Sequence, residues 1–74
     1  MKLNDSRVFG AVVRAYRKQQ GVSQVKLAAI ANTGVRFISD LENGKPTVQL
    51  DKALRVASIL GLKIEVSNIT GVNK

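Results

Sequence analysis

The stretch from Ser23 to Asn43, SQVKLAAIANTGVRFISDLEN, constrains the fold more than any other part of the chain. Ser23 stands just before a helical pattern, where its hydroxyl can accept from one of the backbone N–H groups that lack partners in a first turn. Val22 before it and Leu27 after it have the spacing of a hydrophobic staple. Leu27, Ala28 and Ala31 form one apolar stripe at helical spacing. Asn32-Thr33-Gly34 then breaks the run, because Asn tolerates the left-handed conformation that ends a helix and Gly turns at little cost. A second short helix follows, with Ile38 and Leu41 facing inward and Val35, Arg36, Ser39 and Asp40 facing outward. The small Ala28 and Ala31 let the two helices approach closely.

The flanking sequence predicts further helices around this bent pair. Asp5 or Ser6 can cap a first helix that runs to about Gln20, with Phe9, Val12, Val13 and Tyr16 as its buried stripe and Gly21 at its end. Arg14, Arg17 and Lys18 crowd its last turns, where cations complement the helix dipole; Arg14 and Lys18 serve equally well as phosphate contacts. After the Gly44-Lys45-Pro46 loop, Thr47 is positioned to cap a fourth helix. Leu50, Leu54, Ala57 and Leu60 would be its inner face, and Asp51 and Arg55 an i,i+4 pair. Gly61 follows as a left-handed cap. From Leu62 to Ser67 the pattern alternates, which reads as a half-buried strand. Nothing else in the chain reads as a strand to pair with it. Pairing of Leu62, Ile64 and Val66 with the same strand of a second copy across a two-fold axis satisfies it; the alternative is a tail packed loosely on the helices. The expected organisation is therefore one domain over residues 1–67, strand included, and a mobile tail over 68–74.

Composition bounds the chemistry. Seventy-four residues suffice for one small domain, and they hold neither His nor Cys. That removes disulfides, thiolate metal sites, the usual zinc ligands and the commonest general base. With no Gly-rich phosphate loop and no convergent acidic pair, an enzyme is the least expected class, and no cofactor or metal is expected. Twelve Lys and Arg against five Asp and Glu give a formal charge of +7 and a pI near 10.4. Such a field favours a polyanion, nucleic acid first and an anionic membrane second. The basic residues are spread over several helices, which argues against a membrane-surface helix. The start of the chain leads into no apolar run, so a cytoplasmic, nucleoid-associated protein is expected.

Ser23-Gln24, Leu27-Ala28, the Asn32 turn, Ile38-Ser39, Glu42-Asn43-Gly44 and Pro46 together resemble the signature of the Xre/Cro helix-turn-helix family. The departures are Asn32 where Gly is usual and Gly34 where Ser or Thr often caps the recognition helix. The resemblance implies an all-α, lambda-repressor-like domain of four to five helices, here with one C-terminal strand pairing across a homodimer. It also implies an ion pair between Arg17 and Glu42, with Arg17 free to reach a phosphate as well.

In such a domain the second helix of the motif enters the major groove of double-stranded DNA and its N-terminal residues meet base edges. Carried onto this chain, the base-contacting positions are Gly34, Val35, Arg36, Ser39 and Asp40. The Arg36 fork matches guanine O6 and N7, or alternatively a phosphate. Val35 can press on a thymine methyl or serve as partly buried filler. Ser39 suits a phosphate or a base, and Asp40 either accepts from cytosine N4 or orients Arg36. Gln24, Thr33, Asn43 and Lys45 are the expected phosphate contacts, joined by Arg14 and Lys18. Phe37 reads as core or dimer contact.

The run VRFISDLENGKPTVQLDKALRVASILGLKI followed by a strand looks most like the HipB-type antitoxins. That resemblance implies a homodimer that represses its own operon at a palindromic operator and neutralises a HipA-like Ser/Thr kinase toxin. The alternatives are a stand-alone or phage-type repressor without a toxin, and a protein-interaction module whose DNA binding is incidental.

Overall fold

Local residues cap the starts of the first two helices and the ends of all four described. The computed structural model describes residues 5–63, and among them four helices follow in order: α1 (Ser6–Gln19), α2 (Gln24–Ile30), α3 (Val35–Glu42) and α4 (Leu50–Ile59). Asp5 caps α1 by accepting from the backbone N–H groups of Arg7 and Val8 at 2.9 and 3.0 Å. Ser23 caps α2 in the same way, accepting from the N–H of Lys26 at 3.0 Å. All four helices stop in the same reciprocal motif, in which the two residues after the cap donate back to carbonyls of the last turn. In α3 the N–H of Gly44 reaches the Leu41 carbonyl and that of Lys45 the Asp40 carbonyl. The left-handed position of this motif falls on Gly21, Asn32, Gly44 and Gly61, with Asn32 at φ 56°. Asn32 therefore does at the bend of the motif what glycine does at the other three ends.

The core is shared by all four helices. Val13, Leu27, Ile38 and Val56 are wholly inaccessible, and Phe9, Val12, Tyr16, Val22, Phe37 and Val48 pack around them. Complete burial of such side chains contributes about 1.5–3 kcal/mol each before entropy is counted. α1 and α2 both pack on α3. The first contact is closest at Gly10, where a Cβ would lie 2.3 Å from the Leu41 carbonyl oxygen and 2.8 Å from that of Glu42. The start of α1 is tied to the same place, because the Ser6 hydroxyl donates to the Gly44 carbonyl at 2.7 Å.

α4 departs from expectation in three respects. It begins at Leu50 with Gln49 as N-cap and no side-chain cap bond, so Thr47 does not cap it. Pro46 to Val48 form a turn instead, and that turn tucks Val48 against the core. The buried stripe is Ala53, Val56, Ala57 and Leu60, whereas Leu50 and Leu54 are 70% and 44% exposed. Apolar residues lie around most of this helix, and the small Ala53 and Ala57 permit the close packing that two leucines would block. Arg55 does not join Asp51; its guanidinium donates to the Ala31 carbonyl at 3.2 Å, closing the C-terminal end of α2.

Leu62, expected at the start of the pairing strand, is 5% exposed within its own chain's core. Its N–H donates to the Ala57 carbonyl at 2.9 Å, which completes the cap of α4. The rest of the expected strand, with Ile64 and Val66, and the expected tail over 68–74 lie outside the described residues.

Candidate nucleic-acid interface

α3 has one face in the core and one in solvent. Ile38 and Leu41 anchor it, and Glu42 is 8% exposed. On the other face Val35 is 40% exposed, and the Arg36 side chain is 88% exposed. Gly34 is the N-cap, at φ −85° and ψ 155°, and makes no side-chain cap bond. A Cβ there would meet nothing closer than 4.0 Å. Gly34→Ser should therefore stabilise the fold by a few tenths of a kcal/mol, since serine supplies the missing acceptor. A urea titration checks this, and a loss of stability would contradict the described cap.

The base of the motif is held by a buried cluster. Arg17 Nε donates to Glu42 Oε2 at 2.5 Å and Nη2 to Oε1 at 3.0 Å, a two-pronged pair from α1 to the end of α3. The third prong, Nη1, donates to the Val22 carbonyl at 2.9 Å in the loop before α2. Hydrogen bonding to Glu42 raises the guanidinium pKa above its ordinary value, against the opposing pull of burial, with the Glu42 charge adding to the rise. A raised pKa means this contribution to stability is complete below the unfolded value and fades only at extreme alkaline pH. Arg17 is thus a fixed charge. Gln24, at the first turn of α2, donates its amide to Glu42 Oε1 at 3.1 Å. The side chain expected at a phosphate is in this way oriented by the ion pair beneath it.

Around the exposed face the cations are organised by one carboxylate. Asp40 Oδ2 lies 4.0 Å from Arg36 Nε and 3.5 Å from Lys45 Nζ. Asn43 Nδ2 donates to Ser39 Oγ at 3.5 Å, one turn back. Thr33 is half-buried at the bend, its N–H donating to the Ala28 carbonyl. Arg14 and Lys18 stand exposed on α1, and none of the ion pairs among the described residues joins them to this cluster. Phe37 packs against the core, with Lys52 Nζ 6.0 Å from its ring centre. None of the described helices is long and apolar enough to cross a membrane.

Sequence reasoning missed Gly10 and the bond from Gln24 to Glu42. The first had a signal, since a glycine inside a helix costs about 1 kcal/mol and so asks for a packing reason. The second had none, because two residues far apart in sequence make it.

A bent helix pair, braced from behind by an ion pair and presenting the second helix to solvent among cations, defines a helix-turn-helix DNA-binding regulator. The comparisons agree: a helix-turn-helix family, of Xre/Cro type, matches residues 13–66, and the chain belongs to that family. It is 51% identical over 58 residues to the uncharacterized HTH-type transcriptional regulator y4mF of Sinorhizobium fredii, covering 78% of this chain and 76% of that protein. It is also similar to the ImmF control region 10 kDa protein of Bacillus phage phi105, 25% identical over 68 residues, covering 92% of this chain and 76% of the phage protein.

Proposed function

We propose that the chain is a sequence-specific repressor that reads a palindromic operator in double-stranded DNA as a homodimer. The observation that carries this is the solvent-exposed Arg36 fork beside Val35 at the open end of α3, with Lys45 on its flank. Gly34, Val35, Arg36 and Ser39 face base edges in this reading, with Asp40 beside them. Gln24, Thr33, Asn43 and Lys45 hold phosphates on either side, with Arg14 and Lys18 further along α1.

A dimer is supported by arithmetic and by surface. One recognition helix spans only a few base pairs, and two-fold symmetry doubles the site. Leu50 and Leu54 leave apolar surface on α4 that a second copy would cover. Because Leu62 is already committed to its own core, strand pairing between copies would fall to Ile64 and Val66.

The antitoxin role, with a HipA-like Ser/Thr kinase as partner, rests on the family resemblance of residues 35–64. Co-purification of this chain with a HipA-like kinase encoded beside it would support that role. Absence of such a gene would leave the stand-alone or phage-type repressor, which the similarity to a phage control-region protein favours.

Two substitutions test the reading of DNA itself. Arg36→Ala should cost about 1–3 kcal/mol on the preferred duplex and relax preference at one base position. Lys45→Ala should weaken all duplexes alike and reduce the salt slope by about 1. If neither change alters binding to a randomised duplex pool, the face of α3 is not the reader.

A further inference from the structure

We infer that Asp40 is a positioning residue that restrains both Arg36 and Lys45, so that the interface trades general affinity for DNA against discrimination between sequences. This rests on the reading of α3 as the recognition helix and assigns Asp40 a role other than base contact.

The geometry is specific. One carboxylate oxygen serves two cations of different kinds, Arg36 one turn earlier at 4.0 Å and Lys45 beyond the helix end at 3.5 Å. The Asp40 side chain is 29% exposed, against 88% for Arg36 and 51% for Lys45. The carboxylate is therefore the fixed member and the cations are the mobile ones. Lys45 is also brought to it by the backbone, because its N–H donates to the Asp40 carbonyl at 3.0 Å.

Helix stability does not account for an acid here. Asp40 lies in the last turn of α3, where the dipole disfavours negative charge, and that turn holds no basic residue. Glu42 shares this unfavourable end, but its burial against Arg17 explains it. Among the described residues Asp40 has only the two surface cations as recompense, and exposed pairs of this kind contribute little to folding. The i,i+4 pair with Arg36 stabilises the helix only slightly, and a local rule broken for so small a gain fits a role at the interface.

The consequence for binding follows from charge. A phosphate approaching Arg36 or Lys45 must displace Asp40 and meets its repulsion, which penalises every duplex equally. An Arg36 fork held along the helix satisfies a guanine edge but swings less freely to the nearest phosphate. Removing the carboxylate frees both cations for the sequence-independent part of binding.

The test compares wild type, Asp40→Asn and Asp40→Glu on poly(dI-dC) and on a randomised duplex pool read by sequencing, across a salt series. Asp40→Asn should raise poly(dI-dC) affinity about threefold to tenfold at low salt and steepen the salt slope by about 1. In the pool it should broaden preference at the base that Arg36→Ala affects, with the thermal midpoint unchanged. Asp40→Glu, which keeps the charge, should retain the wild-type slope. An unchanged slope and an unchanged pool profile in Asp40→Asn would overturn the proposal. So would loss of a cytosine preference at constant slope, since that makes Asp40 a base reader. If wild type itself shows no base preference, the operator reading fails, yet the poly(dI-dC) slopes still decide whether Asp40 restrains the cations.

Discussion

Glu42→Leu should lower the stability of this domain by about 3–5 kcal/mol, and Arg17→Met by a similar amount, while the double variant recovers most of the loss. The asymmetry comes from burial. The Glu42 and Arg17 side chains are 3% and 10% exposed, and among the described residues each is the other's only charged partner. Deleting the acid leaves Arg17 with the Val22 carbonyl alone, whereas deleting the arginine leaves the carboxylate with only the Gln24 amide. Replacing both by apolar groups removes two desolvated charges together, and such exchanges are often neutral. A domain of this size has a total stability on the order of 5–10 kcal/mol, so either single change would bring it near unfolding at physiological temperature. Urea titrations of the two single variants and the double close the cycle, and additive losses would mean that the pair does not interact. DNA binding should not recover as fully as stability does. Without the Glu42 acceptor, Gln24 loses the bond that aims it, so the double variant should fold yet hold duplex DNA more weakly than wild type.

The parts of this fold that were legible in the sequence are those decided within a turn or two of chain. Ser23 as a cap, Asn32 at the bend, and the inward Ile38 and Leu41 each depend on neighbours three or four residues away, so spacing alone reveals them. Family resemblance added the pairing of Arg17 with Glu42, which no local pattern contains. α4 shows where pattern reading loses its hold. With Leu50, Leu54 and Ile59 interleaved among Ala53, Val56, Ala57 and Leu60, two stripes compete, and the larger leucines suggest the wrong one. The choice is made by the room that alanine leaves against the other helices, a tertiary quantity. Arg55 illustrates the same limit, since Asp51 is its natural partner along the helix but the Ala31 carbonyl lies across the packed interface. At the proposed DNA-contacting face, residue types pointed to Arg36 and Lys45 separately. What joins them through Asp40 is the turn after α3, which brings Lys45 back beside the helix it has just left.

Gly10→Ala should destabilise the domain by about 1–3 kcal/mol, although helix propensity argues for the opposite sign. In an exposed helix interior the same change gains about 1 kcal/mol, because alanine loses less backbone entropy on folding. Position 10 is in the second turn of α1, and its would-be Cβ lies 2.3 Å from the Leu41 carbonyl oxygen, 2.8 Å from the Glu42 oxygen and 3.0 Å from the Glu42 carbonyl carbon. All three are backbone atoms, so no side-chain rotation can relieve the contact, and α1 must move away from the last turn of α3. That turn carries Glu42, and Arg17 lies two turns further along α1, so the displacement also stretches the buried ion pair. Gly10→Val should be worse still, with a cost large enough to prevent folding at physiological temperature. Ala11→Gly, on the exposed side of the same helix, separates the two effects: it should cost about 1 kcal/mol by propensity alone. Thermal and urea melts of the three variants decide between them. A Gly10→Ala protein more stable than wild type would mean that α1 and α3 do not meet backbone to backbone as described, and the bracing of α3 from behind would then need another origin.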